Sequence, residues 1–153
     1  MASIDGFGEL ARDLEEFAGA IDDIADDLPE GMQGAYDETS EKISREATRR
    51  APHGETGELK GSIRADTGGD LSATVVVGAP HGPLVEYGNG PGYIRPTTAE
   101  YMVFTYKGEK QFRKKVESYE GRSYLRDSIR RSKSYFNRSL ASHVRLLYER
   151  HLN

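Results

Sequence analysis

The chain has no cysteine in its 153 residues, which excludes disulfides, thiolate catalysis and cysteine-ligated metal centres together. It also lacks any apolar run near the roughly 18 residues that a membrane helix needs. The opening MASIDGFGEL has neither a basic flank nor an apolar signal core, so a protein soluble inside the cell, with no membrane partner, is expected. Basic residues are almost missing from positions 1–30, which carry ten acids and one base. The opposite holds at the other end, where positions 106–153 carry thirteen bases and five acids. Such a chain can pair head to tail with its own copies, or offer an acidic face to one partner and a basic face to another.

Phosphate-loop spacing is absent as well. The stretch GAPHGPLVEYGNGPG, residues 78–92, is rich in glycine, but it carries no lysine before a Ser or Thr and runs into Arg95-Pro96, where proline opposes a helix start. No cofactor is implied. His53, His81, His143 and His151 show no i, i+4 pair and have no cysteine to complete a zinc site, so they read as surface histidines and no metal is expected. Glu55 and Glu58 flank a turn, and no nucleophile stands beside a base, so no catalytic residue is assigned and the protein is read as a non-enzyme. Glu86 is the one acid set among apolar neighbours, and a buried carboxylate needs a partner; an arginine is expected.

The elements that are present can be read from periodicity. Phe7, Leu10, Leu14, Phe17, Ile21, Ile24 and Leu28 alternate at three and four, which predicts an acidic amphipathic helix over residues 1–28, an arm or a packing helix. Pro29 and Gly31 then read as punctuation before a second helix ending near Arg50, with Met32, Ala35, Tyr36, Thr39, Ile43 and Ala47 on one side. Residues 60–66 and 72–79 predict a hairpin about Thr67 to Asp70. Further strands are expected at Leu84–Tyr87 and Glu100–Tyr106, with a basic edge strand at Gln111–Ser118. From Gly121 onward Tyr124, Leu125, Ile129, Phe136, Leu140, Val144 and Leu147 mark a final helix. The expected fold is α+β: residues 29–153 form one domain in which an antiparallel sheet of four to five strands is covered by two helices. The polar composition, 36% hydrophobic and 30% charged, suggests elements that reach out of the core.

Three motifs in order then carry a resemblance. ATRRAPHGETGELKGSI, residues 47–63, contains Thr56, Gly57, Leu59, Ser62 and Ile63 after a helix halted at Ala51-Pro52; Val85-Glu86-Tyr87-Gly88 and Tyr124-Leu125 follow. Over residues 30–145 the chain resembles the neck or tail-completion (head–tail connector) proteins of long-tailed double-stranded DNA phages and related archaeal viruses. It departs from them at Ser123, where that family often has proline, and in the length of its acidic helix. The resemblance implies a structural virion protein, assembled in the host cytoplasm and located at the head–tail junction. There it would form a ring of six copies, or of twelve. Implied partners are a head-side connector or portal-associated protein, a tail tube or tail terminator protein, and packaged DNA through non-specific contact. Contacts would be made by Phe7, Leu10, Leu14, Phe17 and Ile21 of the first helix, by the loop from Gly78 to Gly92, and by Arg126 and Arg130 of the last. The alternative is a nucleic-acid-binding protein using the basic final third, whose arginines and lysines interleave with Tyr119, Tyr124, Tyr135, Phe136 and Tyr148.

Overall fold

The computed structural model describes residues 5–90 and 92–152, and side chains from Gly8 onward. The Phe7 side chain and Pro91, both singled out above, therefore lie outside the described residues. Two long helices dominate. Helix α1 runs from Asp5 to Arg50, and α4 from Tyr124 to Leu152 packs antiparallel along its second half. Between them come the short α2 (Glu58–Gly61), strands β1 (Ile63–Asp66) and β2 (Thr74–Val77), and α3 (Gly82–Tyr87). Strands β3 (Tyr93–Ile94), β4 (Met102–Tyr106), β5 (Glu109–Arg113) and β6 (Val116–Glu117) complete the chain order.

The two helices expected before Pro52 are one. Pro29 sits inside α1. It offers no N–H to the carbonyl one turn earlier and costs on the order of 3 kcal/mol in a free helix. Contacts with α4 on either side hold the helix through this defect. Asp27 accepts from Arg150 at 3.2 Å and lies 2.9 Å from the His151 ring. Two residues after the proline, Gly31 lies so close to Leu147 that a Cβ there would approach its Cδ1 to 3.0 Å.

The α1–α4 seam is built from small residues, which lets the helices approach closely. Gly31, Ala35, Thr39, Ser40 and Ala47 on α1 are buried, as are Ser128, Ser132, Ser139 and Leu147 on α4. Tyr36 and Phe136 fill the middle, with ring centroids 5.1 Å apart. At one end of the seam Ala47, Ala51, Leu59, Ile63, Ala79 and Tyr124 form the core, with Val75, Val77, Val85 and Leu125 packed against it. The β1–β2 hairpin lies on α1 in the register Ile63↔Val77 to Asp66↔Thr74.

Among the described residues, three two-stranded antiparallel ribbons stand where one sheet of four to five strands was expected. Only β1–β2 turns apolar residues into the core. After β2 the chain leaves the sheet through Gly78 to Pro80 and enters α3, so no third strand is laid beside it. The expected edge strand at 111–118 divides instead. Its first part joins β4 across the Lys107-Gly108 turn, where both residues have positive φ, 51° and 79°, the geometry of a tight two-residue hairpin. Its last part, Val116–Glu117, pairs with Tyr93–Ile94.

Leu84–Tyr87 is a helical turn and not a strand. Pro83 pre-sets the φ of its first turn, and Val85 N–H donates to His81 while Gly88 N–H donates to Leu84. A strand would send Val85 and Glu86 to opposite faces. The turn directs both inward and leaves Leu84 and Tyr87 exposed.

Candidate functional site

The motif residues form two corners around the core. At the first, Ala51 ends α1 and Gly57, with φ 70°, starts α2. A Cβ on Gly57 would press on the His53 ring at 3.2 Å, so both the backbone and the space require glycine. Thr56 Oγ1 accepts from Glu58 N–H at 3.3 Å, and Ser62 Oγ donates to Leu59 C=O at 2.9 Å. Leu59 and Ile63 are buried, which anchors the reversal in the core.

The second corner answers the question of the Glu86 partner. Glu86 is 3% exposed, and its carboxylate sits on the N-terminus of α4. It accepts from Leu125 N–H at 2.8 Å, Arg126 N–H at 3.0 Å and Arg126 Nε at 2.9 Å. These backbone donors are among those a helix start leaves unpaired, and the positive end of the helix favours the anion. Arg126 also reaches Glu86 C=O and Ser123 Oγ, and lies over the exposed Tyr87 ring, 4.6 Å from its centroid. The expected arginine is therefore Arg126 of the same subunit, and its guanidinium is committed to this clamp. Arg130 is exposed and pairs with Asp127 along α4.

The same corner brings two backbones together. A Cβ on Gly88 would strike Tyr119 C=O, and one on Gly121 would strike Glu86 C=O, so neither position accepts a side chain. Ser123 has φ 42° and donates its N–H to Glu86 C=O at 3.2 Å. Proline could do neither, so the departure at this position follows from the local geometry. Tyr124 packs beneath, 2% exposed; burial first, and then the Glu86 carboxylate, raise its phenol above the ordinary value. Leu125 and Val85 flank it in the core.

The histidines divide. His53 and His81 are exposed loop residues, whereas His143 and His151 are half-buried at the helix seam, against the expectation of four surface histidines. His143 Nδ1 lies 2.9 Å from Ser139 C=O, and the ring faces Glu38 at 3.8 Å. His151 faces Asp27 and, at 3.9 Å, Asp23. The hydrogen bond from His151, opposed by desolvation and aided by Arg150, holds the Asp27 carboxyl below its ordinary range. Part of the charge contrast between the two ends of the sequence is thus satisfied within the subunit. Sequence reasoning missed the serine stripe of α4, because Ser128, Ser132 and Ser139 read as polar surface until the close helix contact buries them. Among the described residues no cluster of three or more His, Asp or Glu is placed to hold a metal, and no helix is long and apolar enough to cross a membrane.

Three surfaces remain uncovered by the described residues. The first is the outer half of α1, where Leu10, Leu14, Phe17 and Ile21 are 45–59% exposed. The second is the outward face of α4, where Leu140, Val144 and Tyr148 line a shallow groove. The third is the β4–β5 ribbon, with Val103, Tyr106 and Phe112 exposed beside Lys107, Lys110 and Arg113.

Neither a curated protein nor a solved structure matches the chain. A family model described as "Bacteriophage HK97-gp10, putative tail-component" matches residues 9–88. The matched span starts inside α1 and runs through both hairpin strands to the end of α3, closing on Gly88 of the Glu86 corner. By that match over more than half its length, the chain belongs to the HK97-gp10-like family of phage tail components.

Proposed function

We propose that this virion protein works as a neck or tail-completion ring, joining the DNA-filled head to the tail through contacts and without catalysis. The observation that carries this reading is the apolar seam of α1, which continues past the end of α4 with no described residue upon it. A helix of this composition, apolar on one line and acidic elsewhere, calls for a protein partner. In this reading residues 1–28 are an arm on a domain formed by residues 29–153. The Thr56 to Ile63 and Val85 to Gly88 corners, with Tyr124 and Leu125, set the angle between domain and arm. Six copies suit the symmetry of such tails, with twelve as the alternative. One rim would meet a head-side connector or portal-associated protein and the other a tail tube or terminator protein. Electron microscopy of particles assembled without the protein tests the reading: full heads separated from tails are expected, and full heads with tails attached would overturn it.

A second reading rests on the β4–β5 ribbon. Its exposed aromatics alternate with Lys107, Lys110 and Arg113, and Lys114 and Lys115 lie over the Tyr101 and Tyr93 rings at 5.1 and 4.2 Å. Such a ribbon can track a nucleic-acid backbone. Duplex binding that falls steeply with salt, and is lost in Lys107→Glu/Lys110→Glu, is expected on this reading; salt-independent binding, or none, removes it.

A further inference from the structure

We infer that the outer half of α1 in one copy docks into the apolar groove on α4 of the next copy, and that this arm-in-groove contact is what joins neighbouring subunits. The inference rests on the ring reading and adds to it the two surfaces that meet.

The seam of α1 keeps one spacing throughout. Leu10, Leu14, Phe17, Ile21, Ile24, Leu28, Gly31 and Ala35 alternate at four and three, and the last two already pack against α4 of the same chain. The helix pair is antiparallel, with Asp27 level with His151 and Gly31 level with Leu147. Helix α4 therefore ends where Leu152 and His151 share a cleft with Phe17 and Ala20. Beyond that point the seam stays apolar, and no described residue covers Leu10 or Leu14. The groove that fits lies on α4 between Asn137 and Tyr148, a shallow apolar trough of about 630 Å³. Asn137 to Tyr148 and Leu10 to Ile21 are equal steps along a helix, each about 16 Å long.

Charge selects this occupant over the others. The outer half of α1 carries Glu9, Asp13, Glu15 and Glu16 against Arg12 alone, so two arms laid together would repel. The groove is flanked by Arg138 and Arg145, both exposed, with Arg145 also holding Glu149 at 2.7 Å one turn along α4. A groove on the same chain is out of reach, because Val144 is adjacent to His143, which is level with Gly34, twenty residues and about 30 Å along α1 from Leu14. The contact is thus between copies and heterologous, and it closes into a ring when the rotation between neighbours divides a full turn.

The absence of native cysteine makes the test direct. Leu14→Cys and Val144→Cys replace exposed side chains, so folding should survive, and circular dichroism checks it. The two full-length variants, mixed at high concentration under mild oxidation, are expected to give a covalent heterodimer; the double variant is expected to give a ladder of multimers. Leu14→Asp is expected to weaken self-association of the cysteine-free chain about tenfold or more in sedimentation, and Arg145→Glu to weaken it in low salt. Self-crosslinking of Leu14→Cys, its capture by Phe112→Cys on the ribbon in place of Val144→Cys, or a chain that stays monomeric at about millimolar concentration overturns the inference. The ring reading is judged separately. If particles imaged at the head–tail junction hold a ring of this chain in which Leu14→Cys and Val144→Cys do not crosslink, the arm contact falls and the ring stands.

Discussion

Removing the Glu86 carboxylate should do more damage than removing the arginine it pairs with. The carboxylate is 3% exposed and accepts from two backbone N–H groups at the start of α4 and from Arg126 Nε. Glu86→Ala leaves both amides unpaired and takes one acceptor from a guanidinium that is half exposed and keeps the backbone C=O of residue 86 and Ser123 Oγ. Leaving the two helix-start amides unpaired costs about 1–3 kcal/mol each, a large part of the roughly 5–15 kcal/mol that holds a domain together. Glu86→Gln keeps one acceptor oxygen and loses the charge, for about 1–3 kcal/mol. Arg126→Ala removes a side chain that is 53% exposed while the carboxylate keeps its two amides, so about 0.5–1 kcal/mol is expected. Urea unfolding followed by circular dichroism reads these differences. At a slope of about 2 kcal/mol/M, Glu86→Ala should lower the midpoint by about 2 M and Arg126→Ala by less than about 0.5 M. Equal losses for the two variants, or a Glu86→Ala loss below about 1 kcal/mol, would refute the assignment of Glu86 as the cap of α4.

Three further outcomes test the helix pair. Ser132 Oγ is buried with no hydrogen-bond partner among the described residues, so Ser132→Ala should leave stability unchanged or raise it by up to about 1 kcal/mol, read from the urea midpoint; a loss above about 1 kcal/mol would mean that the hydroxyl is satisfied. Pro29→Ala restores the missing N–H inside α1 and should raise the melting temperature, by an amount corresponding to about 1–2 kcal/mol; an unchanged or lower value would show that the proline ring itself contributes to packing. Asp27 has a folded value below its ordinary 3.8, so its contribution is present above pH 3.8 and is lost as the pH falls through the folded value; Asp27→Asn should flatten the melting-temperature profile in that acid window, and an unchanged slope there would refute the assignment.

Much of the fold follows from patterns a few residues long. The three-and-four spacing marked both long helices, the β-branched run at Thr74–Val77 and its partner marked the first hairpin, and Ala51-Pro52 with Gly57 marked the corner between them. These features are local: a helix face, a strand pair and a positive φ each depend on neighbours within about one turn. The errors arose where local signals compete with distant contacts. Pro29 is a stop signal by itself, yet Arg150, His151 and Leu147, more than a hundred residues away, hold the helix through it. Leu84 to Tyr87 has the residues of a strand, yet a helical turn brings Val85 to the core and Glu86 to α4 together. The β-branched and aromatic run expected as a strand at Glu100–Tyr106 did form one, over Met102–Tyr106, but such a run specifies a strand and not the sheet it joins, and the ribbon joined none of the core strands.

By itself the sequence determined an acidic amphipathic helix at one end and a basic one at the other, a glycine corner after Ala51-Pro52, an unusual acid at position 86, and a family resemblance carried by three motifs in order between Thr56 and Leu125. Tertiary structure alone decided that Glu86 caps α4 and engages Arg126, that a serine stripe is interior, and which part of the α1 seam α4 covers. The reason is physical. Periodicity states that a face must be covered, but what covers it is an element distant in sequence, brought there by packing over the whole molecule.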